Sequence, residues 1–137
     1  MAAKRPEIVE WKSRDPRDVP SYSISEAAHY LSIPVATLRS WVLGASYKQN
    51  GETRKFQRVI ELPSKRENLL SFFNLVEAHV LRALRTEHGV TLPLIRKSLA
   101  FVGKRYGWKR PLIEQRFQLA VQLRATDEHF LSEFLNA

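Results

Sequence analysis

The stretch YSISEAAHYLSIPVATLRSW, residues 22–41, has the pattern of two short helices joined by a tight turn. Ser23 or Ser25 can cap the first helix, because a serine hydroxyl accepts a hydrogen bond from a free amide of the first turn. Pro34 cannot continue a helix and restrains the residue before it, so the first helix should end there. The pattern predicts a helix-turn-helix.

The second predicted helix has an apolar and a polar face. Its apolar positions recur at helical spacing and should pack against the first helix: Val35, Leu38 and Val42. Its polar positions then point outward: Thr37, Arg39 and Ser40. The second helix of this motif usually enters a DNA major groove, where Arg binds a phosphate or guanine and Thr a phosphate or thymine methyl. These three side chains are therefore candidates for DNA contact.

Three neighbours have alternative roles. Arg39 could instead form an ion pair with Glu26 on the first helix. Trp41 is expected in the core rather than stacked on a base. Tyr22 is either a contact at the helix cap or a donor to a DNA phosphate.

The same stretch resembles the MerR-like winged helix-turn-helix, in which it runs roughly YSIxEAAxxLGVxxxTLRxW. The matching positions are Tyr22, Ser23, Ile24, Glu26, Ala27, Ala28, Leu31, Thr37, Leu38, Arg39 and Trp41. Departures are Ala36, where Arg is frequent, Ser40, where an aromatic residue is usual, and Val42, where Glu is common. The resemblance implies a DNA-binding fold.

A basic hairpin is predicted after Gly44, which should end the second helix. Asn50-Gly51 favours a tight turn, since both central residues need a positive φ. Val59, Ile60 and Leu62 are expected to form a strand that ends before Pro63. Around the turn lie the candidates for contact with the phosphate backbone: Tyr47, Lys48, Arg54, Lys55 and Arg58. The alternative is a flexible basic loop without a partner.

Two longer helices should follow. Ser71 can cap a third helix from Phe72 to about Thr86, ended by Gly89. Thr91 can cap a fourth, with Pro93 tolerated in its first turn and Gly103 and Gly107 marking its end.

This middle section is similar to the part after the hairpin in a group of VapB-type antitoxins. The similar parts are LSFFNLVEAHVLRALR, residues 70–85, and the pattern GVxLxxIRxxLxxV, residues 89–102. With the first motif the resemblance covers roughly residues 20–103. It implies an antitoxin that neutralises a PIN-domain ribonuclease toxin, usually through its C-terminal part, and represses the shared promoter.

The C-terminal stretch 108–137 has an ambiguous pattern. Residues 117–123 alternate between apolar and mostly polar side chains, which favours a half-buried strand, although Ile113, Phe117 and Ala120 also fit one helical face. Thr126 should cap a last helix to about Leu135. Its apolar stripe belongs either to the core or to a dimer or toxin contact: Phe130, Leu131, Phe134 and Leu135.

Composition limits the class of protein. The chain has 137 residues, 44% of them hydrophobic, which allows one domain with an appendage. It has no apolar run of the ~18 residues that a membrane span needs, no signal-peptide pattern and no cysteine, so we expect a cytoplasmic protein without membrane contact.

The net charge of +8 is concentrated in two blocks, +4 over residues 36–68 and +6 over residues 96–116. Clustered basic residues suggest phosphate contacts, whereas a solvated face is the simpler alternative. The second block could follow flanking DNA or bind an acidic toxin surface: Arg96, Lys97, Lys104, Arg105, Lys109 and Arg110.

Catalytic and metal-binding patterns are lacking. The four histidines are scattered along the sequence, and there is no glycine-rich phosphate loop and no nucleophile elbow. We expect no metal, no cofactor and no enzymatic activity.

These observations predict a mainly α protein: a MerR-like winged helix-turn-helix with a small β-hairpin and a C-terminal strand and helix. The expected organisation is an N-terminal arm (1–20), a DNA-binding domain (21–103) and an appendage for dimer or toxin contact (104–137). The predicted function is an antitoxin that autorepresses its operon as a homodimer on double-stranded operator DNA. The alternatives are a MerR-like regulator or excisionase-type architectural protein without a toxin, and a protein-interaction module that has lost DNA binding.

Overall fold

A computed structural model describes residues 15–123 and 128–136. The chain forms two compact units that divide between Leu75 and Val76, and each is described by itself. The predicted arm is described only from Asp15, where Pro16–Asp18 forms a short 3-10 helix. The domain limits predicted at 20/21 and 103/104 stay a prediction; the second lies inside a helix, Leu92–Tyr106.

The first unit contains two short helices and two small antiparallel sheets. Along the chain come β1 (Tyr22–Ser23), α1 (Ile24–Leu31), α2 (Val35–Leu43), β2 (Ala45–Gln49), β3 (Glu52–Phe56), β4 (Leu69–Leu70) and the start of α3 (Phe72–Thr86). Strand β1 pairs with β4, while β2 pairs with β3 as a hairpin. The described residues are thus mainly helical with one two-stranded hairpin, consistent with a winged helix-turn-helix.

Local chemistry sets both ends of α1. Ser23, not Ser25, is the N-cap: its hydroxyl accepts from the Glu26 amide at 3.1 Å, while the Glu26 carboxylate accepts from the Ser23 amide at 3.1 Å. At the other end Ser32 is left-handed, with φ 55°, and the Ile33 amide donates to the Ala28 carbonyl at 3.0 Å. The predicted turn before Pro34 is confirmed.

The buried apolar stripe of α2 is shorter at its N-terminal end than the sequence predicts. Leu38, Trp41 and Val42 are buried, which confirms the core position of Trp41. Val35, however, is 42% exposed. Helical spacing identifies the apolar face but not how far along the helix the contact extends, and Val35 lies in the first turn.

The strand predicted over Val59–Leu62 is wrong, since these residues form no ladder. Instead the amides of Val59 and Ile60 both donate to the Trp41 carbonyl, at 2.7 and 3.0 Å. Ile60 is fully buried. The apolar run therefore satisfies a free carbonyl at the end of α2 rather than pairing with a strand.

Helix α3 has the bounds predicted, Phe72–Thr86, and the predicted cap. The Ser71 hydroxyl accepts from the Asn74 amide at 3.1 Å, and the Asn74 carboxamide oxygen accepts from the Ser71 amide at 2.9 Å. The Asn74 amide group also donates to the Glu61 carbonyl at 2.9 Å. Both Ser71 and Asn74 are buried, so this cap also fixes the segment that returns from the hairpin.

The regular elements described in the second unit are all helices. It contains the rest of α3, then α4 (Leu92–Tyr106), a 3-10 helix (Pro111–Ile113), α5 (Gln115–Gln122) and α6 (Glu128–Asn136). Helix α4 has Thr91 as N-cap and Pro93 in its first turn as predicted, although the Thr91 hydroxyl makes no capping bond. Gly107, with φ 65°, ends it, while Gly103 lies inside the helix.

The C-terminal strand prediction is also wrong, because residues 115–122 form helix α5. Phe117, Ala120 and Val121 are buried, whereas Leu119 and Leu123 are 48% and 62% exposed. The alternation of apolar and polar residues fits a strand, but the residues of the alternative helical face, Phe117 and Ala120, are the ones that are buried. Leu131 and Leu135 of α6 are buried, in line with a core role; the Phe130 and Phe134 side chains and the Thr126 cap lie outside the described residues.

Candidate nucleic-acid interface

The hairpin is fixed to the end of α2 through Gly44. This residue has φ 80° and leads directly from α2 into β2. A Cβ at Gly44 would lie 2.8 Å from the carbonyl oxygen of Phe56, closer than a real Cβ approaches such an atom. Together with the two amides that bond to Trp41, this close approach holds both ends of the hairpin beside the last turn of α2.

The predicted hairpin turn is confirmed. Asn50 and Gly51 have φ values of 53° and 79°. Positive φ at both central residues matches the right-handed twist of the flanking strands. The resulting register pairs Ala45 with Phe56, Tyr47 with Arg54 and Gln49 with Glu52, and between them Ser46 with Lys55 and Lys48 with Thr53.

This register divides the hairpin's polar candidates between two faces. Paired residues in an antiparallel ladder share a face and successive residues alternate, so Lys48 and Lys55 lie on one face. Tyr47 and Arg54 lie on the other, where Arg54 is 3.7 Å from the Glu52 carboxylate in an exposed ion pair. The four side chains therefore cannot all face one DNA backbone. The only charged residues on the first face are the cations Lys48 and Lys55.

The outer face of α2 presents Arg39. Its side chain is exposed and makes no hydrogen bond or ion pair within residues 15–123 and 128–136. The alternative pair with Glu26 is not formed among the described residues; one oxygen of that carboxylate accepts the Ser23 amide in the α1 cap. Arg39 is thus held on a rigid helix with its guanidinium open to a partner.

Thr37 and Ser40 are less open than the sequence suggested. Both are half-buried, and the Ser40 hydroxyl donates to the Thr37 carbonyl at 2.8 Å. With about 100° between successive residues, Ala36, Ser40 and Leu43 lie opposite the buried stripe, and Thr37 and Arg39 lie on opposite flanks. If this face of α2 enters a DNA groove, the side chains of Ala36, Ser40 and Leu43 would form a ridge towards the DNA, with Arg39 on one side of it.

The two remaining predicted residues, Tyr22 and Arg58, lie outside α2 and the hairpin strands. Tyr22 is half-buried in β1, and its ring meets that of Tyr30 edge to face with centroids 6.3 Å apart. Arg58 is exposed beside a groove that runs between the end of α2 and the base of the hairpin. The groove is lined by residues 43–46 and 55–58.

The contribution of Gly44 and Phe56 was missed by sequence reasoning. Gly44 was expected only to stop α2, but its lack of a side chain also lets the hairpin approach the helix. The sequence shows the glycine, but it does not show that the Phe56 carbonyl lies against it.

Among the described residues no three His, Cys, Asp or Glu side chains are grouped so that they could hold a metal ion. None of the described helices is long and apolar enough to cross a membrane.

Comparison with known proteins agrees with this geometry. Residues 20–99, more than half of the chain, match the family described as "Putative DNA-binding HTH domain". The chain therefore belongs to this family of helix-turn-helix DNA-binding domains.

The chain is also similar to a Mycobacterium tuberculosis (strain ATCC 25618 / H37Rv) protein named "Putative antitoxin VapB45". The two are 36% identical over 94 residues, which cover 66% of this chain and 39% of that relative. The match thus spans about two fifths of the relative's length. No solved structure matches the chain significantly.

Proposed function

We propose that this protein is an antitoxin-type repressor that binds the operator of its own operon as a homodimer. In this proposal α2 enters the major groove and the hairpin lies along the adjacent phosphate backbone. Membership of a DNA-binding helix-turn-helix family and similarity to a protein named as an antitoxin support it. A location in the cytoplasm, with the operon, is part of the same proposal.

One observation carries the DNA-binding half of the proposal: Arg39 is unpartnered among the described residues on a helix whose end is locked to a basic hairpin. Because Gly44 and the Trp41 carbonyl fix the base of the hairpin, the strands that carry Lys48 and Lys55 begin from a fixed point beside the helix that carries Arg39. A fixed arrangement of cations reduces the ordering cost of binding. It also sets the register of the helix on the duplex, since phosphate contacts position and base contacts specify.

The remaining candidates have secondary roles in this proposal. Thr37 flanks the groove-facing ridge, whereas the Ser40 hydroxyl must give up its bond to the Thr37 carbonyl before it can donate to DNA. Tyr22, Tyr47, Arg54 and Arg58 would contribute phosphate contacts at the edges. Arg54 contributes less than Lys48 or Lys55 because Glu52 lies beside it.

The toxin half of the proposal is supported by the name of the relative and by the sequence resemblance to VapB-type antitoxins. The proposed partner is a PIN-domain ribonuclease encoded beside this gene, bound through residues 104–137. Co-expression of the two proteins, with a tag on the ribonuclease only, tests this part. A stable complex with loss of ribonuclease activity is expected; failure to co-purify would leave a regulator or architectural DNA-binding protein without a toxin.

The DNA-binding half is tested by titrating the full chain against DNA from upstream of its gene and against a scrambled duplex. We expect Arg39→Ala to abolish specific binding while leaving the thermal unfolding temperature unchanged, because the side chain has no partner in the described structure. Arg39→Lys is the matched control: retained affinity would assign a phosphate contact, and lost discrimination a bidentate base contact. Wild-type operator affinity in Arg39→Ala would refute the assignment.

A further inference from the structure

We propose that a second basic surface, formed by Lys97, Lys104, Arg105 and Lys109 of the second unit, binds phosphates of double-stranded DNA independently of base sequence. This surface, here called the α4 basic surface, lies outside the helix-turn-helix and the hairpin. The inference rests on the proposed function only in that the protein meets DNA; it does not require that α2 recognises an operator.

The sequence supplies the charge. Between residues 96 and 110 there are six lysines and arginines and no Asp or Glu. Such a segment repels itself unless an anion neutralises it, and a polyanion gains by releasing its own counterions when cations replace them.

The structure separates these six cations into two groups. Arg110 donates to the Glu77 carboxylate at 2.9 Å, and that carboxylate is buried, so the pair is internal to the unit. Arg96 is half-buried. The four members of the α4 basic surface are exposed, and none forms a hydrogen bond or ion pair within residues 15–123 and 128–136.

The helix geometry places two of them in line. Lys97 and Lys104 are seven residues apart, so they lie on the same side of α4 and are separated by about 10 Å along its axis. Ile95, Ser98 and Val102 form the opposite, buried side. Between the two lysines, on their side of the helix, lie Ala100, which is small and exposed, and Phe101, which is half-buried.

Lys109 is held in place by its neighbours. The Trp108 ring stacks near that of Tyr106, with centroids 5.5 Å apart, and the Tyr106 hydroxyl donates to the Asn136 carboxamide oxygen at 3.2 Å. On the other side Arg110 is fixed by Glu77. Both residues that flank Lys109 are therefore anchored, which fixes the backbone of Lys109 just after the end of α4.

A DNA backbone fits this surface better than an acidic protein does. Protein interfaces are depleted in lysine, whereas three of these four cations are lysines. Favourable interaction with the helix dipole accounts for Lys104 and Arg105 at the C-terminal end, but not for Lys97 or Lys109.

The test compares Lys97→Ala/Lys104→Ala with the wild-type full chain on upstream DNA and on a scrambled duplex across a salt series. Each lost phosphate contact lowers the slope of log affinity against log salt by about 0.9, so the double variant should lose about 1.8. Affinity should fall by a similar factor on both duplexes, because the surface does not read bases. Lys97→Arg/Lys104→Arg keeps both charges and should keep the wild-type slope.

The scrambled duplex separates this inference from the proposed operator binding. A reduced slope on scrambled DNA supports the α4 basic surface even if the upstream duplex is bound no better than scrambled DNA. An unchanged slope on both duplexes overturns it, whatever Arg39→Ala does. If that unchanged slope came with lost binding to the co-expressed ribonuclease, the surface would belong to a protein partner instead.

Discussion

Replacing Gly44 with Ala tests whether the hairpin is locked to α2. Gly44 has φ 80° and ψ −179°, a conformation that only glycine adopts readily, and forcing another residue into it costs about 1–3 kcal/mol. The new Cβ would also lie 2.8 Å from the Phe56 carbonyl oxygen, a backbone atom that cannot rotate away. Relief of that overlap costs about a further 1–3 kcal/mol.

We therefore expect Gly44→Ala to lower the free energy of unfolding by about 3 kcal/mol, or the melting temperature by roughly 10 °C. Operator affinity should fall as well, because the hairpin cations lose their fixed position. The assays are chemical denaturation followed by circular dichroism, and fluorescence anisotropy with labelled DNA.

Two other glycines provide matched controls for the same substitution. Gly51 has a similar φ of 79° but no atom within 4 Å of its Cβ position, so Gly51→Ala should cost only about 1–2 kcal/mol. Gly103 lies inside α4 with open space around it, so Gly103→Ala should stabilise the protein by about 0.5–1 kcal/mol. If Gly44→Ala were no more destabilising than Gly51→Ala, the contact with Phe56 would not matter and the locking argument would fail.

Three further predictions concern other parts of the chain. Ser32→Gly should raise the free energy of unfolding by about 0.5 kcal/mol in urea denaturation, because Ser32 is left-handed at φ 55°; a loss of stability would contradict this. Arg110→Ala should cost about 2–4 kcal/mol, since it removes a partner from the buried Glu77 carboxylate; a change under ~0.5 kcal/mol in the same assay would show that Glu77 needs no such partner. The Arg17 guanidinium, bonded to Asp15 at 2.6 Å, lowers the pKa of that carboxyl from 3.8 to about 2, so this contact is fully formed above pH 3.8 and lost as pH falls towards 2. In Arg17→Ala, NMR titration should return the Asp15 pKa towards 3.8, and an unchanged value would refute the pairing.

Much of the fold could be predicted because its signals are local. A serine that caps a helix, a proline that prevents its continuation and an Asn-Gly pair that reverses a hairpin each act within a few residues. Ser23, Ser71, Pro34 and Asn50-Gly51 all do what their chemistry predicts. The division of the hairpin between a face with Lys48 and Lys55 and a face with Tyr47 and Arg54 also follows from the turn, once the two-residue period of a strand is applied.

The candidate interface was predicted less completely. Residue type identified Arg39 and the basic hairpin, but whether a side chain is available depends on its neighbours. Glu26 accepts the Ser23 amide rather than pairing with Arg39, and the Ser40 hydroxyl bonds the Thr37 carbonyl. Whether these side chains contact DNA stays a prediction.

The sequence by itself determined the bounds of α2 and α3, the end of α1, the start of α4, the turn of the hairpin at Asn50-Gly51, and where positive charge is concentrated. Only the tertiary structure decided which face of residues 115–122 is buried, that Ile60 bonds the end of α2 instead of joining a sheet, and that Arg110 is internal while Lys109 is exposed. The physical reason is the sequence separation of the interacting groups: caps and turns depend on residues only a few positions apart. Burial and ion pairing depend on which distant segment lies alongside, as Glu77 does for Arg110.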